Sequence, residues 1–223
     1  MTIAVMQPYF VPYAGYFRLF AAADVVVMFD CVQFPRRGRV HRNVVPDAGG
    51  TARWLTLPLE KAPREALIGE LRLAADAASR LERAIRRFPV LQRARERGDP
   101  LLERVLAVTT RDAAAYLCGS LGAAARELGF EQPLLRSSAL GIPREARGQE
   151  RVVEIARRLG ATRYVNLSGG RRLYERERFT REGIDLRFLT PYRASALSIL
   201  PRLLTQPAAA LRREILTDTV FED

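Results

Sequence analysis

The sequence predicts an α/β fold: a mostly parallel sheet with flanking helices and a helical insertion in its middle. Three observations carry that expectation. Short apolar runs suited to buried strands occur near the start and again in the last third. Helical stretches, not tight turns, separate them. The first two runs begin roughly 20 residues apart, room for a short crossover helix. With 223 residues, 48% hydrophobic, 27% charged, 15 Gly, 13 Pro and 2 Cys, the composition excludes a disordered, collagen-like or disulfide-stapled chain.

Ile3-Ala4-Val5-Met6 is an apolar run stopped by Pro8 and reads as the first strand; residues 16–23 have helical character. Val25-Val26-Val27-Met28-Phe29 is the second strand, and runs apolar on both faces imply a parallel sheet covered on both sides. The basic, Gly-containing stretch 31–50 reads as loop or hairpin, followed by a strand in Arg53-Trp54-Leu55-Thr56-Leu57-Pro58-Leu59. Residues 74–97, interrupted by Pro89, and residues 100–128, after the stop and restart Gly98-Asp99-Pro100, read as helical. Strand character returns at 133–137. An amphipathic helix follows at 149–159, with Val152, Val153, Ile155, Ala156 and Leu159 inward and Gly160 as its stop. Arg163-Tyr164-Val165-Asn166-Leu167 is a strand, Ser168-Gly169-Gly170 a loop, 173–181 a helix and Ile184–Leu189 an alternating strand. Residues 193–215 are expected to be a closing helical tail. No repeat or linker divides the chain, so one domain is expected over 1–223, with its α/β core at 1–72 and 131–192, a helical segment at 74–128 and the tail at 193–223.

Lys and Arg number 36 against 25 Asp and Glu, a net charge of +11, and Lys61 is the sole lysine. A GC-rich coding bias produces such an Ala- and Arg-rich sequence, but Arg also grips phosphates through paired hydrogen bonds, so anionic partners are expected. Cys31 and Cys118 match no metal or redox spacing and read as free thiols of a reducing compartment. The start lacks a basic leader, and no apolar run approaches the ~18 residues of a membrane span, so the expected location is the cytoplasm.

Three constellations could carry chemistry. The first is the loop from Gln7 to Phe17, which should leave the carboxyl end of the first strand, where open α/β folds bind ligands. Gln7, Tyr9, Tyr13 and Tyr16 offer hydrogen bonds and ring faces, and Gly15 would let a phosphate approach the backbone where the helix begins. A Tyr-rich loop simply packing on the core is the alternative. The layout resembles the nucleotidyltransferase superfamily with its His-x-Gly-His signature, Tyr13 and Tyr16 standing at the corresponding positions; these can donate hydrogen bonds but cannot be cationic clamps.

The second constellation runs from Asp30 to Asn43. Asp30 could orient a hydroxyl or take a proton, and His41, the sole histidine, is the other base candidate because its ordinary pKa lies near neutrality. Arg36, Arg37 and Arg42 would hold a phosphate or pyrophosphate, with Gln33 and Asn43 beside them and Gly38 allowing the turn; a solvated basic loop is the alternative. His41 has no companion ligand, so no metal site is expected. The third constellation is Asn166, Ser168, Gly169, Gly170, Arg171 and Arg172, whose backbone donors and guanidiniums could wrap a second anion, or whose glycines could simply make a tight turn. Ser137-Ser138 should lie on the same sheet edge. Neither a Walker loop, a Rossmann glycine fingerprint nor a Ser-His-Asp order is present.

Taken together, Met6-Gln7-Pro8-Tyr9-Phe10, Pro12-Tyr13, Gly15-Tyr16-Phe17, Asp30-Cys31-Val32-Gln33-Phe34, Arg37-Gly38, Arg42-Asn43 and Trp54-Leu55-Thr56-Leu57-Pro58-Leu59 closely resemble the WbqC-like family. Ser137-Ser138-Ala139-Leu140, Tyr164-Val165-Asn166 with Gly169-Gly170, Gly183-Ile184-Asp185-Leu186 and Leu197-Ser198-Ile199-Leu200 agree with it. The resemblance implies a bacterial protein of O-antigen, other glycoconjugate or secondary-metabolite biosynthesis. Two positions depart from the family pattern: Cys31 replaces a second Asp, and Arg39-Val40-His41 replaces aromatic or aliphatic residues.

The expected function is therefore a cytoplasmic transferase that binds a phosphate-bearing small molecule, a nucleotide or nucleotide-linked sugar, and acts on an amino- or deoxy-sugar. An RNA- or tRNA-dependent transferase, gripping RNA through Arg80, Arg83, Arg86, Arg87, Arg93, Arg95 and Arg97, is the first alternative, and a non-catalytic scaffold the second. The sequence identifies no cofactor.

Overall fold

The computed structural model describes residues 1–222. The two N-terminal apolar runs form β1 (Thr2–Met6) and β2 (Val25–Met28), paired in parallel from Ile3 opposite Val25 to Met6 opposite Met28. A single 3₁₀ turn, Ala14–Phe17, continues into the short α1 (Arg18–Ala22) and makes the crossover between them. Of the two readings of 31–50, loop or hairpin, the end is a hairpin: β3 (Arg42–Pro46) and β4 (Ala52–Thr56) are antiparallel and form a separate two-stranded sheet, with Arg42 and Asn43 opening its first strand.

The helical insertion comprises α2 (Ala77–Ile85), α3 (Pro89–Glu96), α4 (Pro100–Leu106) and α5 (Ala113–Glu127). Pro89 and Pro100 stand at helix starts, where a missing N–H costs nothing. Asp99 accepts hydrogen bonds from Leu101 N and Leu102 N, and Asp112 accepts one from Ala115 N. Asp112 is why the expected helix over 100–128 is two: a capped N-terminus starts a new helix after residues 107–112 leave the first.

β5 (Leu134–Arg136), α6 (Gly148–Arg158), β6 (Arg163–Leu167), α7 (Arg176–Thr180) and β7 (Asp185–Leu189) complete the α/β part, with Ser168–Leu173 coiled as a 3₁₀ helix. The main sheet has the order β5-β2-β1-β6-β7 and is parallel throughout. Its strands alternate between two buried faces. Ile3, Val5, Val27, Tyr164, Leu186 and Phe188 join Val152, Val153 and Ile155 of α6 and Phe179 of α7. Ala4, Val26, Met28, Val165 and Leu189 join the second core, with Phe17, Leu19, Phe20 and the helical insertion. Burial on both faces is what a parallel sheet requires, and the order fits the nucleotidyltransferase-like arrangement named above.

The tail differs from expectation. Only α8 (Leu200–Leu203) and α9 (Ala208–Thr217) are helical; residues 190–199 form an irregular strap. Pro191 lacks a donor, the Ser198 hydroxyl accepts the Leu200 N–H, and the strap is tied down by Ser198 N to Val44 O (2.9 Å) and Ile199 N to Pro12 O (2.9 Å).

The chain runs outward from β1 through β2 to β5, then returns to the other side of β1 with β6 and β7. The order therefore reverses between β1 and β6. At such a switch point the two loops leaving the carboxyl ends diverge and leave a crevice.

Candidate functional site

Two side chains hold the loop after β1 from beneath. The Tyr16 hydroxyl donates to Gln7 O at 2.8 Å, and the buried Asn43 amide donates to Phe10 O (3.1 Å) and Val11 O (3.0 Å). Asn43 Oδ1 accepts from Arg39 Nη1 (2.5 Å) and from Val44 N (2.8 Å), so every polar group of its side chain is used. Val11 has φ +38°, a conformation that a β-branched residue adopts only when its surroundings impose it. On the other side of the crevice, Asn166 Nδ2 donates to the Tyr164 hydroxyl at 2.8 Å, which lies 3.2 Å from the Tyr174 hydroxyl, while Asn166 Oδ1 accepts Leu167 N. A Cβ at position 170 would sit 2.7 Å from Asn166 Nδ2, hence Gly170.

These loops and the strap enclose a cavity of about 640 Å³. Of the residues expected to bind substrate, Gln7, Tyr9, Tyr13, Asn166, Ser168, Gly169 and Gly170 line it; Phe29, Tyr174, Thr190, Tyr192 and Arg18 join them. Tyr13 and Tyr192 have ring centroids 5.5 Å apart. Burial raises the pKa of Tyr9, Tyr13 and Tyr174, so all three remain phenols able to donate at neutral pH.

The sole ionised side chain of the lining is Arg18. It is completely buried, donating from Nη1 to Thr190 O (2.9 Å) and from Nη2 to Thr190 Oγ1 (3.2 Å). Its Nε lies 3.2 Å from Asp218 Oδ2, but the N–H does not point at that oxygen, so this is an ion pair without a hydrogen bond. Burial lowers its pKa while Asp218 opposes the change, and an arginine keeps its charge regardless. The cavity therefore combines aromatic faces, amides and hydroxyls with one arginine, ion-paired behind the wall with Asp218, and no carboxylate in the lining itself.

Gly15 lies under this wall. A Cβ there would come within 2.5 Å of Tyr192 Cγ and 2.6 Å of Tyr13 Cε2. Gly15→Ala is expected to force both rings aside and to cost about 1–3 kcal/mol in urea unfolding, as overpacking does. Gly15 serves ring packing here, not a backbone approach.

A second hollow, about 1000 Å³, opens at the carboxyl ends of β2 and β5 and shares Phe29 with the first. Asp30, Gln33, Ser137 and Ser138 line it. Asp30 is completely buried, and its carboxylate accepts from Arg136 Nε (2.7 Å), Ser137 Oγ (2.9 Å), Ser138 N (2.8 Å) and Ser138 Oγ (2.7 Å). Burial alone would raise its pKa; the bonds from Ser138, Arg136 and Ser137 outweigh it and hold the carboxyl below the ordinary aspartate value. Arg136 continues to Asp112 Oδ2 at 2.8 Å, tying the edge strand to the cap of α5. Gln33 Nε2 donates to Arg64 O at 2.9 Å.

The remaining nominated residues sit elsewhere. His41 packs edge-on to Phe34, its ring 5.1 Å away, and its buried Nδ1 has no partner among the described residues. Burial and Arg42 lower its pKa, which keeps it neutral at pH 7. Arg36 donates to Ala62 O at 2.6 Å, and Arg42 stacks 4.4 Å from the ring of Trp54. Arg171 pairs with Glu222 and lies over Phe188. These residues, Arg37 and Arg172 line neither hollow, and Tyr16, Gly15 and Asn43 form the support beneath the first. Among the described residues, no three of His, Cys, Asp and Glu gather as a metal-ligand set. No helix among the described residues is long and apolar enough to cross a membrane.

A doubly wound parallel sheet with an aromatic hollow at its switch point is the arrangement in which open α/β folds receive small ligands. The family to which the chain belongs is the WbqC-like protein family, which matches residues 7–196 and so includes every loop of the first hollow. Among curated proteins, the Uncharacterized protein Rv1507c of Mycobacterium tuberculosis is 31% identical over 58 residues, which span 26% of this chain and 25% of that protein. No solved structure matches the chain.

Proposed function

We propose that the protein is a transferase that binds a nucleotide or nucleotide-linked sugar in the switch-point cavity. Kinship with the WbqC-like family adds the setting: bacterial O-antigen, other glycoconjugate or secondary-metabolite biosynthesis in the cytoplasm. The observation that carries the reading is the lining itself. A hollow of about 640 Å³, walled by tyrosines and free of carboxylates, suits a base or sugar ring attached to phosphate. In this reading Tyr9, Tyr13 and Tyr192 pack on the ring, while Gln7, Asn166 and Ser168 bond its hydroxyls or carbonyls. Arg18, its charge offset by Asp218, fixes Thr190 in the wall beside the phosphates. Asp30 acts as a positioning residue, holding the end of β2 and with it Phe29.

A small anion is favoured over RNA because several arginines of the expected RNA face are compensated. Arg80 lies 3.7 Å from Asp76, Arg95 2.9 Å from Glu82 and Arg97 2.7 Å from Asp99. The test is a thermal-shift and calorimetric panel of nucleoside diphosphates, nucleotide sugars and tRNA. A ligand specific for the folded state, at 100 times its Kd, should add roughly 2.7 kcal/mol of stability. Tyr13→Ala should weaken the hit about tenfold, through lost ring contact. Silence from every nucleotide, with tight and strongly salt-dependent tRNA binding, would replace this reading with the RNA-dependent one.

A further inference from the structure

We infer that the second hollow is a binding site in its own right for a phosphate-bearing small molecule, held by Arg144, Arg147 and Arg151. All three belong to the segment between the loop after β5 and the first turn of α6, and all three line the hollow. None of the three forms an ion pair with a described carboxylate. The guanidiniums of Arg144 and Arg147 make no hydrogen bond or ion pair with any described residue; only the two carbonyls are used, by Arg151 and by the Glu150 N–H. Arg151 is held on main-chain oxygens alone, Ala146 O at 2.7 Å, Arg144 O at 3.2 Å and Cys31 O, which fixes its guanidinium without neutralising it.

The carboxylates across the hollow do not supply the missing charge. Asp30 is ion-paired with Arg136 and consumed by its four donors, while Glu65 and Glu70, which also line the hollow, form no ion pair with Arg144, Arg147 or Arg151. One carboxylate would satisfy one guanidinium; three on one wall call for a group with several anionic oxygens, which is a phosphate or pyrophosphate. The volume of about 1000 Å³ leaves room for a sugar-sized remainder. Because Phe29 belongs to both hollows, ligands in the two would meet over that ring. The role of this site as the second of two substrate sites rests on the transferase reading; phosphate binding does not.

Cys31 supplies the test, since it is a free, half-buried thiol in this lining, whereas burial pushes the Cys118 thiol up to about 12 and leaves it unreactive. Inorganic pyrophosphate is the probe, and the readout is the rate at which iodoacetamide alkylates Cys31 in the folded protein, followed by mass spectrometry. Pyrophosphate should slow alkylation several-fold. Arg144→Ala with Arg147→Ala should raise the concentration needed by roughly tenfold or more, each guanidinium having supplied charge-assisted hydrogen bonds. Arg86→Ala with Arg87→Ala, an equal change in net charge outside both hollows, should leave it unaltered, and melting temperatures confirm that both variants fold. An alkylation rate indifferent to saturating pyrophosphate, or the same loss in both double variants, overturns the site. Tyr13→Ala should leave the protection intact, so failure of the first hollow to bind nucleotides and failure of this one are read separately.

Discussion

Asp30→Ala should lower the unfolding free energy by about 3–5 kcal/mol, the loss typical when one partner of a buried ion pair is removed. Four donors would lose their acceptor at once, and the link from β2 through Arg136 to Asp112 would end at Arg136. Urea unfolding measures the loss, and a change below about 1 kcal/mol, the scale of a surface pair, would refute the clamp. The pH dependence has a definite sign. A carboxyl whose native pKa lies below its unfolded value stabilises the fold fully above the unfolded value, and that stability disappears as pH falls through the native one. Wild-type stability should therefore fall in acid with a contribution that Asp30→Asn lacks, while both should be flat in this respect near neutrality.

Asn43→Ala is the second large effect, expected at about 2–4 kcal/mol because it strands buried carbonyls that cost roughly 1–3 kcal/mol each when unpaired. Phe10 O and Val11 O would both lose their donor, leaving Val11 at φ +38° fixed only through its packing and the bonds to Phe10 N and Pro12 O. The loop carrying Gln7, Tyr9 and Tyr13 should then relax, so ligand binding in the first hollow should weaken even at temperatures where the variant remains folded. Chemical denaturation reports the first effect and calorimetry the second. Unchanged affinity in a destabilised variant would show that the loop keeps its shape without Asn43.

The strands were legible because their signal is local. Ile3-Ala4-Val5-Met6 and Val25-Val26-Val27-Met28 are apolar on both faces, and that pattern means a parallel strand between two layers wherever it occurs. The three loops nominated for binding were visible for the same reason: each follows a strand, and carboxyl ends of parallel strands share an edge. What the pattern does not carry is which side chains turn inward once the loops close. Being polar and near the edge makes Tyr16 and Asn43 look like substrate contacts and Asp30 like a base, but their partners are backbone and side-chain groups distant in sequence. Ser137 and Ser138, for instance, lie more than a hundred positions from Asp30. Arg18 offered one neglected signal, a lone charge inside Tyr16-Phe17-Arg18-Leu19-Phe20, a run that otherwise belongs to the core. The strap through Thr190 and Tyr192 offered almost none beyond Pro191, since its course depends on Val44 and Pro12, which anchor it.

The placement of β1 at the middle of the sheet has a consequence for biosynthesis. Its first neighbour, β2, follows almost immediately, but Thr2 on the other edge pairs with Arg163, 161 residues later. At roughly 5–20 residues per second, the ribosome leaves that edge bare for about 8–32 seconds. Arg18 waits longer still, 172 residues, for Thr190. The emerging polypeptide should thus be a chaperone client until its last third appears, and nascent chains stalled before residue 163 should be captured and degraded far more readily than chains stalled after residue 189.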